Sequence, residues 1–315
     1  MLNSTEVDNL NLFNNPNEQQ IDIVLQNNET ILSGGSMEVS SIDSKQNDNI
    51  MHKFYNFPKY YDKAFTRDIK SDIIFFKNCF QQYSDIKVTR VLEPACGPGM
   101  FLEMLPKYGF YVLGYDLNSA MVEYAKEKLR VSGITIEQAD IVEGNMKDMR
   151  FDNKFDAAFI CINSLGYLRS NEEISSHFKA MSESLKIGSV YIVEISCKCD
   201  DIMNEKRYDD TWYVREENLE LELTWAINWY NLEHRIRHVD FRMVIKDNGN
   251  ELLIEEAHEL RLWIFDEFKH FANSSGFEIV GIYNQNYEGI CESTPITGEL
   301  GALFFILKKV ASSED

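Results

Sequence analysis

The sequence predicts an α/β protein: a mainly parallel sheet with helices on both faces, plus an inserted antiparallel sheet. Three observations carry this. Apolar strand-like runs alternate with helical patterns between residues 69 and 196. A strand enters a glycine turn at Val91-Leu92-Glu93-Pro94-Ala95-Cys96-Gly97-Pro98-Gly99, and a second acid, Asp116, ends the next apolar run. Between residues 211 and 263 the pattern switches to period two, as in a half-buried antiparallel sheet.

Residues 1–48 are rich in Asn, Ser, Gln and acids and read as a flexible extension, with a lid or partner-docking segment as the alternative. Within them, Ile21-Asp22-Ile23-Val24-Leu25 alone suggests a short strand or helix. From residue 51 aromatic residues become dense, through Tyr60-Tyr61-Asp62, and need something to cover. A helix at 69–83 precedes the first strand at 89–95. A helix at 98–106, a second strand at 110–115 and a helix at 118–131 follow, the last opened by Asn118 or Ser119 as a cap. The third strand is expected at 134–138, the fourth at 155–161, then a helix at 171–186 and a fifth strand at 189–196. In the period-two block Leu219, Leu221 and Leu223 alternate with polar residues, and Trp225, Ile227 and Trp229 continue in the same phase. Asp247-Asn248-Gly249-Asn250 is a hairpin turn, so three or four antiparallel strands are expected. A helix at 264–275 and strands at 277–283 and 303–307 complete seven strands in the main sheet.

The bulk properties narrow the function. The chain has 315 residues and 44% hydrophobic content, enough for a sizeable core. No apolar run reaches membrane-spanning length, and the N-terminus lacks the pattern of a signal peptide. Six scattered cysteines suggest a reduced, cytoplasmic protein. Cys197-Lys198-Cys199 is their one tight pair, and its spacing is not that of a zinc site, so no metal is expected. The net charge of −20 disfavours nucleic-acid partners and anionic membranes. It would attract a cationic amine, or simply maintain solubility. A homodimer stays open.

The glycine turn points to a site. Glycine is needed where backbone approaches a ligand, and an acid ending the next strand can accept hydrogen bonds from ribose hydroxyls. A dinucleotide fingerprint would place a small residue where Leu102 stands, and no lysine follows the turn as in a phosphate-binding loop. Glu93 would repel a pyrophosphate but suits a ligand carrying an ammonium and a sulfonium. The alternative is a strand-to-helix turn without a ligand.

These residues resemble the class I S-adenosylmethionine-dependent methyltransferases, and Asn163-Ser164-Leu165-Gly166-Tyr167-Leu168 is similar to a segment of glycine N-methyltransferase and other small-molecule N-methyltransferases. The resemblance covers roughly residues 55–310. Leu185-Lys186-Ile187-Gly188 resembles the family's turn before the fifth strand, although Ser189 replaces the usual second glycine. It implies a Rossmann-like fold with a seven-stranded, mainly parallel sheet. The methyltransferase domain would comprise 49–200 and 261–315, with 201–260 as an antiparallel β lid over the substrate. The implied cofactor is S-adenosylmethionine, released as S-adenosylhomocysteine. Glu93, Ala95, Gly97 and Gly99 would surround its methionine part, and Asp116, with Leu117 and Met121 nearby, its ribose. Asp140 and Ile141 would meet the adenine. Cys161 and Asn163 would close the site after the fourth strand, and Tyr61 and Arg67 would fold over the cofactor and hold its carboxylate.

The substrate would be a small molecule or short peptide. Methyl transfer is an in-line displacement that needs an aligned lone pair about 3 Å from the methyl carbon. A neutral amine needs no strong base, whereas an oxygen nucleophile usually does, so the lack of an obvious His–Asp pair fits nitrogen. A base at His258 or Tyr167 would favour an O- or C-methyltransferase. A non-catalytic binding subunit is the other class. Candidate substrate residues are Tyr167, Trp212, Trp229, His258 and Arg261. Each has a plainer reading: the aromatics as sheet core, His258 as a satisfied structural histidine, Arg261 as half of an ion pair. His234 and His238 read as surface strand residues and His177 as solvated.

Overall fold

A computed structural model describes residues 53–198, 209–231, 233–291, 293–296 and 300–311. The expected extension at 1–48 and Cys199 lie outside them. After a 3-10 turn at Lys53–Asn56 come α1 (Pro58–Phe65), α2 (Lys70–Tyr83), β1 (Arg90–Pro94), α3 (Met100–Met104), β2 (Tyr111–Asp116) and α4 (Ser119–Val131). Then follow β3 (Ala139–Glu143), β4 (Phe155–Ile160), α5 (Asn171–Ser184) and β5 (Leu185–Lys198). The inserted strands are β6 (Asp209–Arg215), β7 (Leu219–Asn231), β8 (Ile236–Asp247) and β9 (Asn250–Arg261). The chain closes with β10 (Trp263–Ile264), α6 (Phe265–Ser274), β11 (Phe277–Tyr283) and β12 (Ala302–Lys309).

The main sheet runs β3-β2-β1-β4-β5-β12-β11, and the short β10 pairs with β5 as an eighth member. β1 to β5 are parallel, while β12 is antiparallel to both neighbours. Its strands are apolar on both sides because helices cover both faces. Val91, Val112 and Phe159 point into one core with Phe76 of α2. Their chain neighbours Leu92, Leu113 and Ile160 point into the other, with Phe178 of α5 and Phe268 of α6. Local caps fix the helix starts. The Asn118 side chain accepts from Met121 N at 3.0 Å, and Ser170 and Glu173 form a reciprocal capping box on α5.

The third strand is displaced from its expected position. Residues 134–138 follow the end of α4 and turn: Gly133 has φ +70°, Ile134 N donates to Leu129 O, and Gln138 N donates to Thr135 O. Ile136, the centre of the expected strand, is 65% exposed. The real β3 pairs Ala139 with Val112 and Glu143 with Asp116. The β-branched run mimicked a strand, but pairing with β2 decided the register.

The inserted sheet is a meander, β6-β7-β8-β9, with the expected turn at Asn248 (φ +49°) and Gly249 (φ +82°). Its apolar face packs Leu221, Leu223, Phe241 and Met243 against Phe54, Tyr61 and Phe65. The early aromatic segment is thus what this sheet covers. Ion pairs Lys59–Asp247 (2.9 Å) and Lys63–Glu216 (2.7 Å) tie α1 to its rim. Asp62 binds α4 through Lys128 (2.8 Å) and Tyr124 (3.1 Å).

Candidate functional site

The site begins where β1 ends. Ala95, Gly97 and Gly99 all have positive φ (51°, 53° and 76°), a left-handed turn that lifts the backbone clear of the sheet. Asp116, at the carboxyl end of β2, holds this turn: it accepts from Gly97 N and Asn118 N, each at 2.9 Å. Burial raises the Asp116 pKa, and these backbone N–H groups oppose the rise. Two of the carboxylate's lone-pair positions are thereby used and two remain. Gly114 makes the packing possible, since a Cβ there would lie 2.7 Å from Cys96 Sγ and 2.9 Å from Leu102. That is how the turn accommodates the leucine that departs from the dinucleotide pattern.

Glu93 is buried beneath the turn, and its Oε2 has no hydrogen-bond partner among the described residues. Desolvation, then the nearby Asp116 charge, push its pKa well above the usual carboxylate range. A buried acceptor without a donor is costly. A cationic ligand in the adjoining cleft would repay that cost. The cleft is lined by Tyr61, Phe65, Glu93, Gly97, Cys161 and Ser164, among others. After β4, Ile162 and Asn163 both have positive φ (56° and 53°), unusual for a β-branched residue. Ile162 N is held by Glu194 Oε2 at 2.8 Å, and Asn163 Oδ1 accepts from Ser196 N at 3.2 Å. Cys161 is buried, and Ile162 stays 46% exposed at the cleft.

Of the residues expected around the cofactor, Tyr61, Glu93, Ala95, Gly97 and Cys161 line this cleft. Gly99 and Asp116 shape its turn. Leu117 is 48% exposed beside Asp116, whereas Met121 is buried and donates its N–H to the α4 cap. Arg67 is held in a two-pronged ion pair with the buried Asp72, at 2.6 and 2.9 Å. Asp140 and Ile141 require correction. Asp140 pairs with Leu113 inside β3, its carboxylate accepts from Ile141 N, and Ile141 is buried in the core. The carboxyl end of β3 is Glu143, and the segment beside Asp116 is Gly144-Asn145-Met146, with Gly144 N donating to Asp116 O at 2.9 Å. The sequence reading missed it through the misplaced strand. His177, expected in solvent, is fully buried and braces that segment: Nδ1 bonds Met146 O at 2.6 Å and Nε2 lies 2.9 Å from Tyr191 Oη. Burial lowers its pKa to about 4, so it is neutral near pH 7.

The substrate candidates separate sharply. Tyr167 and His258 meet: Tyr167 Oη is 2.9 Å from His258 Nδ1, and the Tyr55 hydroxyl is 2.7 Å from that of Tyr167. His258 Nε2 lies 3.0 Å from Glu256 Oε1. With the imidazole proton on Nε2 beside the carboxylate, Nδ1 is an acceptor and the line runs Tyr55–Tyr167–His258–Glu256. Burial raises the pKa of both tyrosines. Tyr55 and Glu256 were missed, although Tyr55 stands in the conspicuous aromatic segment.

The other three do not reach the site. Trp212 donates Nε1–H to Ala64 O (3.1 Å) and packs edge-on against Phe65. Arg261 is buried and engaged with Arg169 O (3.0 Å), Asn171 Oδ1 (2.9 Å) and Glu267 (3.2 Å), the plainer ion-pair reading. Trp229 is turned outward by a β-bulge between Ile227 and Trp229. It pairs with His238, stacks on that ring and is 47% exposed, while Tyr230 takes the inward phase. His234 lies in the turn before β8. No cluster of three or more His, Cys, Asp or Glu with metal-binding geometry occurs among the described residues. No described helix is long and apolar enough to cross a membrane.

A methyltransferase-domain family model matches residues 91–188. A provisionally named methyltransferase of Geobacillus sp. (strain WCH70) is 26% identical over 237 residues, spanning 75% of this chain and 90% of that protein. The dTDP-3-amino-3,4,6-trideoxy-alpha-D-glucopyranose N,N-dimethyltransferase of Streptomyces venezuelae is 31% identical over 108 residues, 34% of this chain and 43% of that enzyme. Among solved structures, an S-adenosylmethionine-dependent methyltransferase from Clostridium acetobutylicum superposes with a TM-score of 0.65 at 19% identity, covering 82% of this chain and 99% of that one. The strand order, the turn and these relatives agree: the chain has the class I S-adenosylmethionine-dependent methyltransferase fold and is similar in sequence to methyltransferases.

Proposed function

We propose that this chain transfers the methyl group of S-adenosylmethionine to a nitrogen of a small amine or short peptide. The observation that carries this is the buried, unpartnered Oε2 of Glu93 beneath a glycine turn clamped by Asp116. The bound cofactor would supply an electrophilic methyl on a sulfonium. Glu93 would face its cationic methionine end, and the remaining lone pairs of Asp116 its ribose. Gly144-Asn145-Met146, braced by His177, would flank the adenine. Tyr61 would cover the turn, and Arg67 lends positive charge near Glu194 and Cys161. Residues 201–260 would act as the lid that excludes water from the displacement.

The similarity to an amino-sugar N,N-dimethyltransferase supports nitrogen as the acceptor. Oxygen is the second reading, favoured by the Tyr55–Tyr167–His258–Glu256 line, which could withdraw a hydroxyl proton. For an amine the same line would remove an ammonium proton before attack.

Titrating the protein with S-adenosylhomocysteine and following methyl-labelled cofactor into matched amines and alcohols tests the proposal. Micromolar binding with label on nitrogen supports it. Label on oxygen selects the second reading, and absence of S-adenosylhomocysteine binding leaves only a binding subunit. Tyr167→Phe sharpens the choice. It should cut turnover on an amine by roughly tenfold, and on a hydroxyl by 100-fold or more, within the usual range for acid–base groups.

A further inference from the structure

The inner face of the inserted sheet is apolar along most of its length, with one departure. Leu223, Met243 and Ile254 share that face at one end. Two residues on, Glu256 stands opposite Phe241, and then His258 opposite Val239. Arg237 follows in the same phase, opposite Leu260 on β9 and Tyr230 on β7. Tyr230 reaches this face only because the bulge after Ile227 resets the strand. Leu260 lies close to Gly166, the residue before Tyr167, and Tyr167, Tyr230 and Leu260 belong to one cluster. Arg237 is therefore placed beside Tyr230 and Leu260, within electrostatic reach of Tyr167.

Among the described residues no carboxylate meets the charge of Arg237. Its Nε is closed off from solvent without a hydrogen-bond partner among the described residues, and no described carboxylate lies within ion-pair distance. Other arginines on or beside this sheet do hold carboxylates: Arg235 and Arg261 hold Glu267, and Arg242 holds Glu222. The contrast is marked in a chain with 51 acidic residues against 31 basic ones. The groups that share its electrostatic surroundings are the tyrosines Tyr230 and Tyr167. A planar guanidinium whose Nε–H has no partner among the described residues matches an anion with two oxygens, a carboxylate or a phosphate.

We infer that Arg237 receives an anionic group, carboxylate or phosphate monoester, carried by the same small amine whose nitrogen is methylated near Tyr167. This deepens the proposed function and rests on it. The substrate would be held at two points, its anion by Arg237 and its amine by the tyrosine–histidine line. Positioning of that kind converts binding into alignment for an in-line attack.

The test uses the full chain saturated with S-adenosylhomocysteine and observes arginine Nε–H signals in a proton–nitrogen correlation spectrum. The Arg237 signal is the one lost in Arg237→Lys. Inorganic phosphate and acetate are titrated separately. A saturable movement of that signal ahead of all other arginine signals is expected with one of them, and the more effective anion names the substrate's group. No movement with either, or all arginine signals moving together, overturns the inference. A second arm compares methyl transfer to glucosamine with glucosamine 6-phosphate, and to amino acids with their amides. Any preference for the charged member should fall at least tenfold in Arg237→Gln, with S-adenosylhomocysteine affinity unchanged. A preference kept intact in that variant overturns the inference. Loss of S-adenosylhomocysteine binding by the unmodified protein would instead remove the parent reading, so the two failures are distinct.

Discussion

The carboxyl edge of the parallel sheet and the inner face of the inserted sheet both carry buried polar groups, but they hold them differently. At the sheet edge the polar groups are committed to backbone. Asp116 accepts from Gly97 and Asn118, Glu194 accepts from Ile162, and His177 bonds the carbonyl of Met146. Against the inserted sheet the polar groups meet one another through side chains: His258 and Glu256 of β9 meet Tyr167 and Tyr55, which come from turns packed on that sheet, with Arg237 of β8 in the same phase. Groups tied to backbone are rigid and serve a ligand that does not vary. Groups placed by strand alternation can be exchanged without disturbing the main chain, so in the proposed function substrate choice would belong there.

The comparison predicts that changes at the sheet edge act on cofactor affinity and those on the inserted sheet act on turnover. The largest effect is expected from Asp116→Ala, which removes both the turn's clamp and the proposed ribose acceptors. S-adenosylhomocysteine affinity should fall roughly 100-fold, about 3 kcal/mol, from hydrogen bonds to a charged group. Unchanged affinity in a calorimetric titration would refute the ribose assignment.

A pH effect of similar size belongs to His177. Its folded pKa, about 4, lies below the unfolded value of about 6.5, so the unfolded chain binds its proton first as pH falls. The stability it contributes is complete above about pH 6.5 and is lost as pH falls through 4. The amount is roughly 3 kcal/mol at 1.36 kcal/mol per pKa unit. Denaturant melts across that window should show the decline, and His177→Gln should flatten it. An equally steep decline in the variant would place the acid sensitivity elsewhere.

Glu93→Gln should have a smaller and two-signed effect. The folded pKa of Glu93 is raised, so its relative contribution is favourable below the unfolded value and is lost as pH rises through the folded one. Removing this buried ionisable group should therefore raise the melting temperature of the ligand-free protein at neutral pH. The same change should weaken S-adenosylmethionine binding about tenfold, about 1.4 kcal/mol. Thermal scans with and without cofactor separate the two signs.

The smallest effect is expected at Trp229. The ring is outward and exposed, so Trp229→Ala should cost under about 1 kcal/mol and leave methyl transfer unchanged. A large loss of turnover there would contradict the inner-face assignment.

Much of this arrangement is legible in the chain. Alternating apolar runs report strands and helices, because side-chain periodicity is a local property. The positive-φ turn is written in Gly97 and Gly99, its acid partner in Asp116, and the hairpin in Asn248-Gly249. What periodicity does not carry is register. The 134–138 run has the composition of a strand, yet residue pairing with β2 begins at Ala139, which makes Gly144-Asn145-Met146, not Asp140, the segment beside Asp116. One bulge residue exchanges Trp229 for Tyr230 on the inner face, since strand side chains alternate at every step.

By itself, then, the sequence determined the order of elements, the glycine turn with its two acids, and the inserted antiparallel sheet. Tertiary structure alone decided which polar residues meet: Tyr55 with Tyr167, His258 with Glu256, His177 with Met146, and Arg237 with no acid among the described residues. Their sequence separations reach 112 residues for the tyrosine pair. Local propensity places each residue on its element, but only packing of distant elements fixes which side chains meet.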